Sequence, residues 1–470
     1  MSRTDTDVVR VDGGGGGLDR FFRISERGST VRTEVVAGAA TWLTMAYILF
    51  LNPAILGAVA DGTGASLPFD QVLTVTALVA GVATIAMGLY ANYPFAIAAG
   101  LGLNGFVAFT LVAGLGLSWP EAMGVIVVEG LVISALVLTG FREAVLNAIP
   151  MDLKRAIGIG IGLFLVIIGL ADVGIVVAGP NPPVVALSGD FANLRILVFA
   201  IGLALAAILT VRRVRGGLLI SIIATTIVAV AINEIWGDAA LFAFGKATIP
   251  DAVVAAPDFS LVGDVSFGFF ETLGFVSALL PIFAVMLSDF FDTMGTAVAL
   301  GEEAELLDED GRLPGMKRVL LVDSLAAAAG GGASASSNTT YIESAAGIGE
   351  GGRTGLTSVV VGALFLVCLF ISPLANVIPF EATAPVLIIV GYFMMRAVAD
   401  IDWRDPSMGI PALLTVTLMP FTYSITNGVG AGFVSYTAIK VLQGRARDVH
   451  PLLYLVSAAF VFYFVRGVRP

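Results

Sequence analysis

Apolar runs of about 20 residues, broken by short polar connections, fill the chain from residue 35 onward. A run of that length crosses the roughly 30 Å hydrocarbon of a bilayer as one helix. The pattern predicts about fourteen membrane segments, beginning 35–51, 72–91, 94–114, 120–140, 155–179, 194–211 and 216–236. It continues with 274–300, 316–329, 334–350, 355–372, 383–398 and a C-terminal group, 409–442 plus 451–466. That last group reads as two spans, three, or a re-entrant pair plus a span.

Two segments do not suit a lipid-facing helix. SASSNTTYIESAAGIGE (334–350) is too polar and too rich in glycine. NYPFAIAAGLGLNG (92–105) carries Pro94, which blocks an earlier helix start, then Gly100, Gly102 and Gly105, with Asn104 between them. Irregular backbone at membrane depth must be wrapped in protein or line a cavity. Broken helices of this kind build midplane sites in secondary transporters. The two segments lie about 240 residues apart, each third in its half of the chain (35–236 and 274 to the end). Seven crossings per half is an odd number, so the two halves are inverted repeats. Segment 334–350 then reads as an extended piece followed by a half-helix from near Tyr341, with Glu343 in its first turn, where the helix dipole favours an anion. Its polar residues, Thr339 and Thr340 among them, are a lining, with Gly102 and Asn104 as their counterparts in the other broken segment.

Carboxylates inside spans come next. LPIFAVMLSDFFDTMGTAVAL (280–300) carries Asp289 and Asp292 at mid-span, three apart and so on one helix face. Each costs about 2.5–3.5 kcal/mol on insertion scales, which makes such residues functional by default. The competing reading of Asp292 is an interhelical hydrogen-bond post, and that of Glu343 is a cap on its own half-helix. Glu129 and Asp323 are also within spans, and one hydrogen-bond partner would explain each.

Mean hydropathy of +0.95 and 13% charged residues exclude an ordinary soluble domain. The single Cys368 and single His450 exclude a disulfide framework and make a metal site improbable. No cofactor is expected. A net charge of −11 argues against a nucleic-acid partner. The acidic connection GEEAELLDEDG (301–311) reads as loop solvation or as a surface suited to high salt. No signal peptide is expected, and residues 1–34, with the glycine run 13–17, read as a disordered cytoplasmic tail. Basic connections (142–155, 212–215, 312–318) alternate with connections nearly free of Lys and Arg (52–71, 238–265). Under the positive-inside rule this places the N-terminus in the cytoplasm of a multi-pass cell-membrane protein. GLGLNG (100–105) and GIGEGGRT (347–354) imitate nucleotide-binding loops, but neither sits in a soluble strand–helix unit.

Longer stretches carry a family resemblance. TEVVAGAATWLTMAYILFLNPAIL (33–56), AAGLGLNGFVAF (98–109), SDFFDTMGTAVAL (288–300), NTTYIESAAGIGEGGRTGLTSVVVGALFL (338–366) and LMPFTYSITNGVGAGFVSY (418–436) resemble the AzgA-like purine permeases. These belong with the uracil and xanthine permeases in the nucleobase–cation symporter group. The resemblance covers nearly the whole chain after residue 20. It implies fourteen segments in two inverted repeats of seven, an all-α membrane protein. A core domain comes from segments 1–4 and 8–11 (35–140 and 274–372), and a gate domain from segments 5–7 and 12–14 (141–237 and 373–470). Residues 238–273 form the extracellular connection between them. The substrate is expected between segments 3 and 10 beside segment 8, on Asp289, Glu343 and Asn104. The resemblance further implies adenine, guanine or hypoxanthine as substrate, an elevator-like alternation of access, and coupling to protons, with sodium left open. A homodimer through the gate is consistent with it. The Ser-rich SASSNTT and the pair Phe106–Val107 depart from relatives and bear on which purine fits.

The chemistry is coherent without the family. A purine presents ring N–H and amino donors in one plane; a carboxylate accepts two such bonds, each worth about 1.5–3 kcal/mol to a charged group. Asn104 offers donor and acceptor. Asp289, Glu343 and Asp292 are the candidates for carrying a coupled cation, and the first two for a proton. Rival readings fare worse. An intramembrane aspartyl protease needs carboxyls on facing helices, whereas Asp289 and Asp292 share one. An anion carrier of the same architecture is at odds with several midplane acids. Uracil or xanthine remains the nearer alternative substrate.

Overall fold

A computed structural model describes residues 17–139, 149–179, 185–189, 191, 193–236, 242, 247–249, 252–309 and 312–466. The elements of the first half are α1 (Gly17–Phe22), α2 (Val31–Met45), α3 (Ile48–Leu56) and α4 (Phe69–Ala86), the last running on through a π turn at Met87–Ala91. Then follow β1 (Ile97–Ala99) and α5 (Leu101–Gly105), which widens into π turns over Phe106–Gly114. After these come α6 (Trp119–Thr139), α7 (Met151–Asp172), the hairpin β2 (Val176–Ala178) and β3 (Val185–Leu187), α8 (Leu194–Val211) and α9 (Gly217–Trp236). The second half has α10 (Phe269–Leu273), α11 (Phe275–Glu303), α12 (Met316–Gly332), β4 (Asn338–Thr340), a 3-10 turn at Ile342–Ser344 and α13 (Ala345–Gly349). It ends with α14 (Gly355–Val367), α15 (Ser372–Asn376), α16 (Phe380–Met395), α17 (Pro406–Phe421), α18 (Ile425–Leu442) and α19 (Pro451–Arg466).

Eight helical stretches among the described residues are long and apolar enough to cross a bilayer by length and composition. Their outward positions include Leu131, Leu138, Leu197, Ile208, Ile227 and Ile235, all exposed. A surface so apolar fits a body whose solvent is hydrocarbon. The helices pack in two groups. In one, α6 lies on α12 and α14 lies on α2 and α4; in the other, α7 lies on α16 and α17, and α8 on α9 and α16.

The two broken segments meet. β1 pairs with β4 antiparallel, Ile97 opposite Thr340 and Ala99 opposite Asn338, so each short strand supplies the other's missing backbone partners. Gly100 N–H donates to Ser337 O at 2.9 Å and Tyr341 N–H to Ala96 O at 2.9 Å, extending the ladder at both ends. Further anchors come from neighbouring helices. Thr84 on α4 both accepts from Ile97 N–H and donates to Ile97 O, each at 2.9 Å. Asn52 on α3 donates to Ala335 O at 3.1 Å. The half-helices α5 and Ile342–Gly349 begin at this crossing, as the sequence pattern predicts.

Three expectations are corrected or completed. The disordered tail does not extend to residue 34. From Gly17 the chain is folded against the body, with Phe22 and Ile24 buried beside Leu356. Arg27 donates to Asn92 O at 2.6 Å and to Arg353 O at 2.9 Å. Glu34, fully buried, accepts from Arg353 N at 3.0 Å, Thr354 N at 3.2 Å and Thr357 Oγ1 at 2.6 Å, capping the start of α14. Residues 1–16, with most of the glycine run, lie outside the described residues. The fifth segment stops at Asp172 rather than at 179, because Gly174 turns with φ +76° and Val176–Ala178 pairs with Val185–Leu187. The C-terminal group resolves into three helices: α17 and α18 complete a second set of seven, and α19 follows. At 16 residues α19 is about 24 Å long, and it packs on α18 through Phe460 against Phe433 and through Ser457, which bonds Thr437 and Phe433 O.

The connection before α4 is organised by Asp61. Its carboxylate accepts from Thr63 Oγ1 at 2.6 Å, Thr63 N at 2.9 Å, Ala65 N at 3.0 Å and, across to the start of α6, Trp119 N at 3.1 Å. Burial pushes this carboxyl up, but the hydrogen bonds from Thr63, Trp119 and Ala65 outweigh it and hold the pKa below the ordinary value. A depressed folded-state pKa adds stability above the unfolded pKa of about 3.9 that is lost as pH falls through the folded value. Asp61→Asn is therefore expected to lower the Tm in detergent at pH 7 by roughly 1–3 °C, with the gap closing below about pH 4. A gap that persists unchanged in acid would refute the assignment.

Candidate functional site

The site forms where β1 and β4 cross and α11 passes beside them, packed against β4, α5 and α13. Glu343 stands in the 3-10 turn that opens the second half-helix, as its position in the sequence suggests. Tyr47, between α2 and α3 and fully buried, donates its hydroxyl to Glu343 Oε1 at 2.5 Å. Sequence reading missed this tyrosine: within an apolar helix it looks like core. Tyr341 donates to Ala99 O and so ties the second half-helix back to the first strand.

Asp289 and Asp292 share α11 but not their surroundings. Asp292 is exposed to a cavity of about 560 Å³, whose lining includes Gly102, Lys154, Arg155, Ser288, Asp292 and Glu302. The sixty-degree offset of an i,i+3 pair aims Asp289 at α6 instead. Asp289 is completely buried and faces the carboxyl of Glu129 on α6. Ser337 approaches Glu129 Oε2 at 3.5 Å. Both polar atoms of Asn104 have no hydrogen-bond partner among the described residues, and the carboxyls of Asp289 and Glu129 lie within hydrogen-bond reach of each other, a bond that needs one of the two protonated. Two facing carboxylates supply no donor to each other when ionised. Unpaired buried polar atoms cost about 1–3 kcal/mol each, and the crossing keeps several: both polar atoms of Asn104, with Ser336 Oγ and Asn338 Oδ1 on the other broken segment.

Of the residues singled out in sequence, Gly102 and Asp292 line the cavity and Glu343 is partly buried, within electrostatic range of Asp292. Asn104 and Asp289 lie deeper. Thr339 and Thr340 point elsewhere: Thr340 N and Oγ1 donate to Asp323 Oδ1 at 2.8 and 2.7 Å, and the Thr339 hydroxyl pairs with that of Thr293 at 2.6 Å. Glu129 and Asp323 were each visible as a carboxyl in a span. What the sequence did not carry is that one faces Asp289 and the other holds the strand. No group of three or more His, Cys, Asp and Glu side chains arranged to hold a metal ion occurs among the described residues.

Comparison with known proteins bears on this geometry. A family model described as "Permease family", for the xanthine and uracil permeases, matches residues 32–430. The adenine permease AdeP of Escherichia coli (strain K12) is 38% identical over 452 residues, covering 96% of this chain and 97% of its own. The guanine/hypoxanthine permease PbuG of Bacillus subtilis (strain 168) is 39% identical over 453 residues, covering 95% and 99%. Among solved structures, the transmembrane domain of the cyanobacterial bicarbonate transporter BicA aligns with a TM-score of 0.58 at 16% identity, over 85% of this chain and 97% of that one, and shares the fold.

If the unpaired atoms serve a ligand, replacing them with apolar side chains of similar size should not harm folding. Asn104→Leu and Asp289→Leu are each expected to leave the Tm in detergent unchanged or raise it by a few degrees. A drop of more than about 5 °C in either would show that the residue is holding the fold together.

Proposed function

The chain belongs to the xanthine/uracil permease family, and on that premise we propose that it imports purine bases — adenine, guanine or hypoxanthine — in symport with a proton. The observation that carries the purine reading is Asn104 with both polar atoms unpaired, near Asp289, whose facing group is another carboxyl, together with Glu343 at a half-helix start. A planar base offers ring N–H and amino donors to the two carboxylates and takes both a donor and an acceptor from Asn104. A site with these buried groups left unpaired rejects a base that lacks the matching edge. The names of the relatives, an adenine and a guanine/hypoxanthine permease, favour purines over uracil.

The two packing groups serve as core and gate. The cavity lies between them, with walls from α5 and α11 on one side and α7 and α16 on the other. Its lining includes Lys154 and Arg155, in the first turns of α7 and at the end of the basic stretch 142–155. On this reading, with the N-terminus in the cytoplasm of the cell membrane, the cavity belongs to the cytoplasmic side. Movement of the core against the gate carries the crossing, and the base on it, to the other side. Asp289 or Glu343 takes a proton outside and releases it inside. The same reading includes a homodimer through the gate helices.

The test is uptake of labelled adenine, guanine, hypoxanthine, xanthine and uracil by a permease-deficient host, at two external pH values, with and without sodium. Purine uptake that rises at low pH, with accumulation abolished in Glu343→Gln, is the expected outcome. No uptake of any base by protein shown to be in the membrane would overturn the substrate class. A sodium requirement without pH dependence would replace the proton. Accumulation by Glu343→Gln against a gradient would remove Glu343 from coupling.

A further inference from the structure

We propose that Asp323 is the positioning residue of the site, setting the distance between the helix that carries Asp289 and the broken segment that carries Glu343. The inference rests on the purine-permease reading above. Asp323 lies on α12, is nearly fully buried, and does not line the cavity. Its Oδ1 accepts from Thr340 N at 2.8 Å and Thr340 Oγ1 at 2.7 Å; its Oδ2 accepts from Thr293 Oγ1 at 2.6 Å. Thr293 in turn pairs with the Thr339 hydroxyl at 2.6 Å. Because Thr293 spends its one proton on Asp323, Thr339 is the donor in that pair.

Both ends of this network lead directly to the site. Thr293 is one helical turn beyond Asp289 on α11. Thr340 is the last residue of β4, three before Glu343. One carboxylate therefore clamps a turn of α11 to the strand that aims the half-helix. A site of this kind requires its binding groups to be held within about 0.5 Å of the productive geometry.

The other strand supplies the contrast. β1 is held by hydroxyls, Thr84 on Ile97 and Tyr341 on Ala99 O. A hydroxyl is thus enough to anchor a crossed strand; the carboxylate at 323 does more, because its second oxygen reaches α11. Three donors converge on it, so an acceptor-only group is required. An asparagine would turn its own N–H₂ toward one of them.

The experiment uses the full chain, purified and reconstituted, with Kd for adenine, guanine and hypoxanthine measured beside KM and Vmax for uptake. Wild type is compared with Asp323→Asn, Asp323→Glu, Thr293→Val and the Asp323→Asn/Thr293→Val pair. Asp323→Asn is expected to raise Kd and KM at least tenfold and to change the ranking of competing bases, with Vmax per folded transporter altered less. Thr293→Val should show a smaller shift of the same kind, and the double variant should be no worse than Asp323→Asn alone. Asp323→Glu should recover part of the affinity. A lower yield of folded Asp323→Asn protein with wild-type Kd and ranking would overturn the proposal and leave Asp323 a fold anchor. Should Asp323→Asn not give monodisperse protein, Thr293→Val decides: a wild-type KM and ranking there overturns the proposal, and a threefold or larger rise supports it. Wild type that binds none of the bases would instead overturn the purine reading, and with it this inference.

Discussion

Everything in this molecule depends on one constraint: peptide groups in the middle of a bilayer must find partners within the protein. Two segments break at that depth, and neither could do so alone. The pairing of Ile97–Ala99 with Asn338–Thr340 satisfies both at once, and it sets two half-helices starting from the same place. The anchors from Thr84, Asn52 and Asp323 follow from the same requirement, because a two-strand ladder leaves its outer edges unpaired. A fold with this crossing has a polar centre whether or not it binds anything; what makes it a site is which side chains are left over.

Three carboxylates are spent on the fold itself. Glu34, Asp61 and Asp323 are surrounded by backbone N–H groups and hydroxyls, and each ties together elements remote in sequence. Asp289 accepts from no N–H or hydroxyl among the described residues, and the group it faces is another carboxyl, Glu129. A carboxylate satisfied by donors from several elements stabilises the fold. Buried position alone does not separate the classes, since Glu34 and Asp289 are equally inaccessible to solvent. The cavity beside Asp292 and Gly102 reaches the edge of the unsatisfied group without exposing Asp289 or Asn104. The deepest groups are thus sealed from bulk water while the approach to them is open.

Much of this was legible along the chain. Charge-free runs of membrane length, their count and the spacing of two irregular segments come from composition and periodicity, because lipid imposes a hydropathy pattern that a soluble core does not. The break at Pro94 and the glycines after it, and the Ser/Thr/Asn run before Tyr341, declare themselves because nothing so polar can face hydrocarbon. Asp289, Asp292 and Glu343 stand out for the same reason. By itself, then, the sequence determined the membrane segments, the two broken segments and which acids lie within the spans.

Only the tertiary structure decided what each acid touches. Asp289 and Asp292 are three residues apart, yet one meets Glu129 and the other a cavity, a difference set by which helices pack on either side of α11. Tyr47 is an ordinary aromatic in an apolar run until folding brings it onto Glu343. Glu34 reads as part of a charged tail, and becomes a buried cap only because Thr354 and Thr357 arrive from the far half of the chain. Thr339 and Thr340 look like a lining, and their hydroxyls turn instead to Thr293 and Asp323. Hydrogen bonds between residues some 300 apart leave no periodic trace, since one donor can serve any acceptor that packing brings within about 3 Å. Hydropathy is a property of each segment, whereas satisfaction of a polar group is a property of its neighbours.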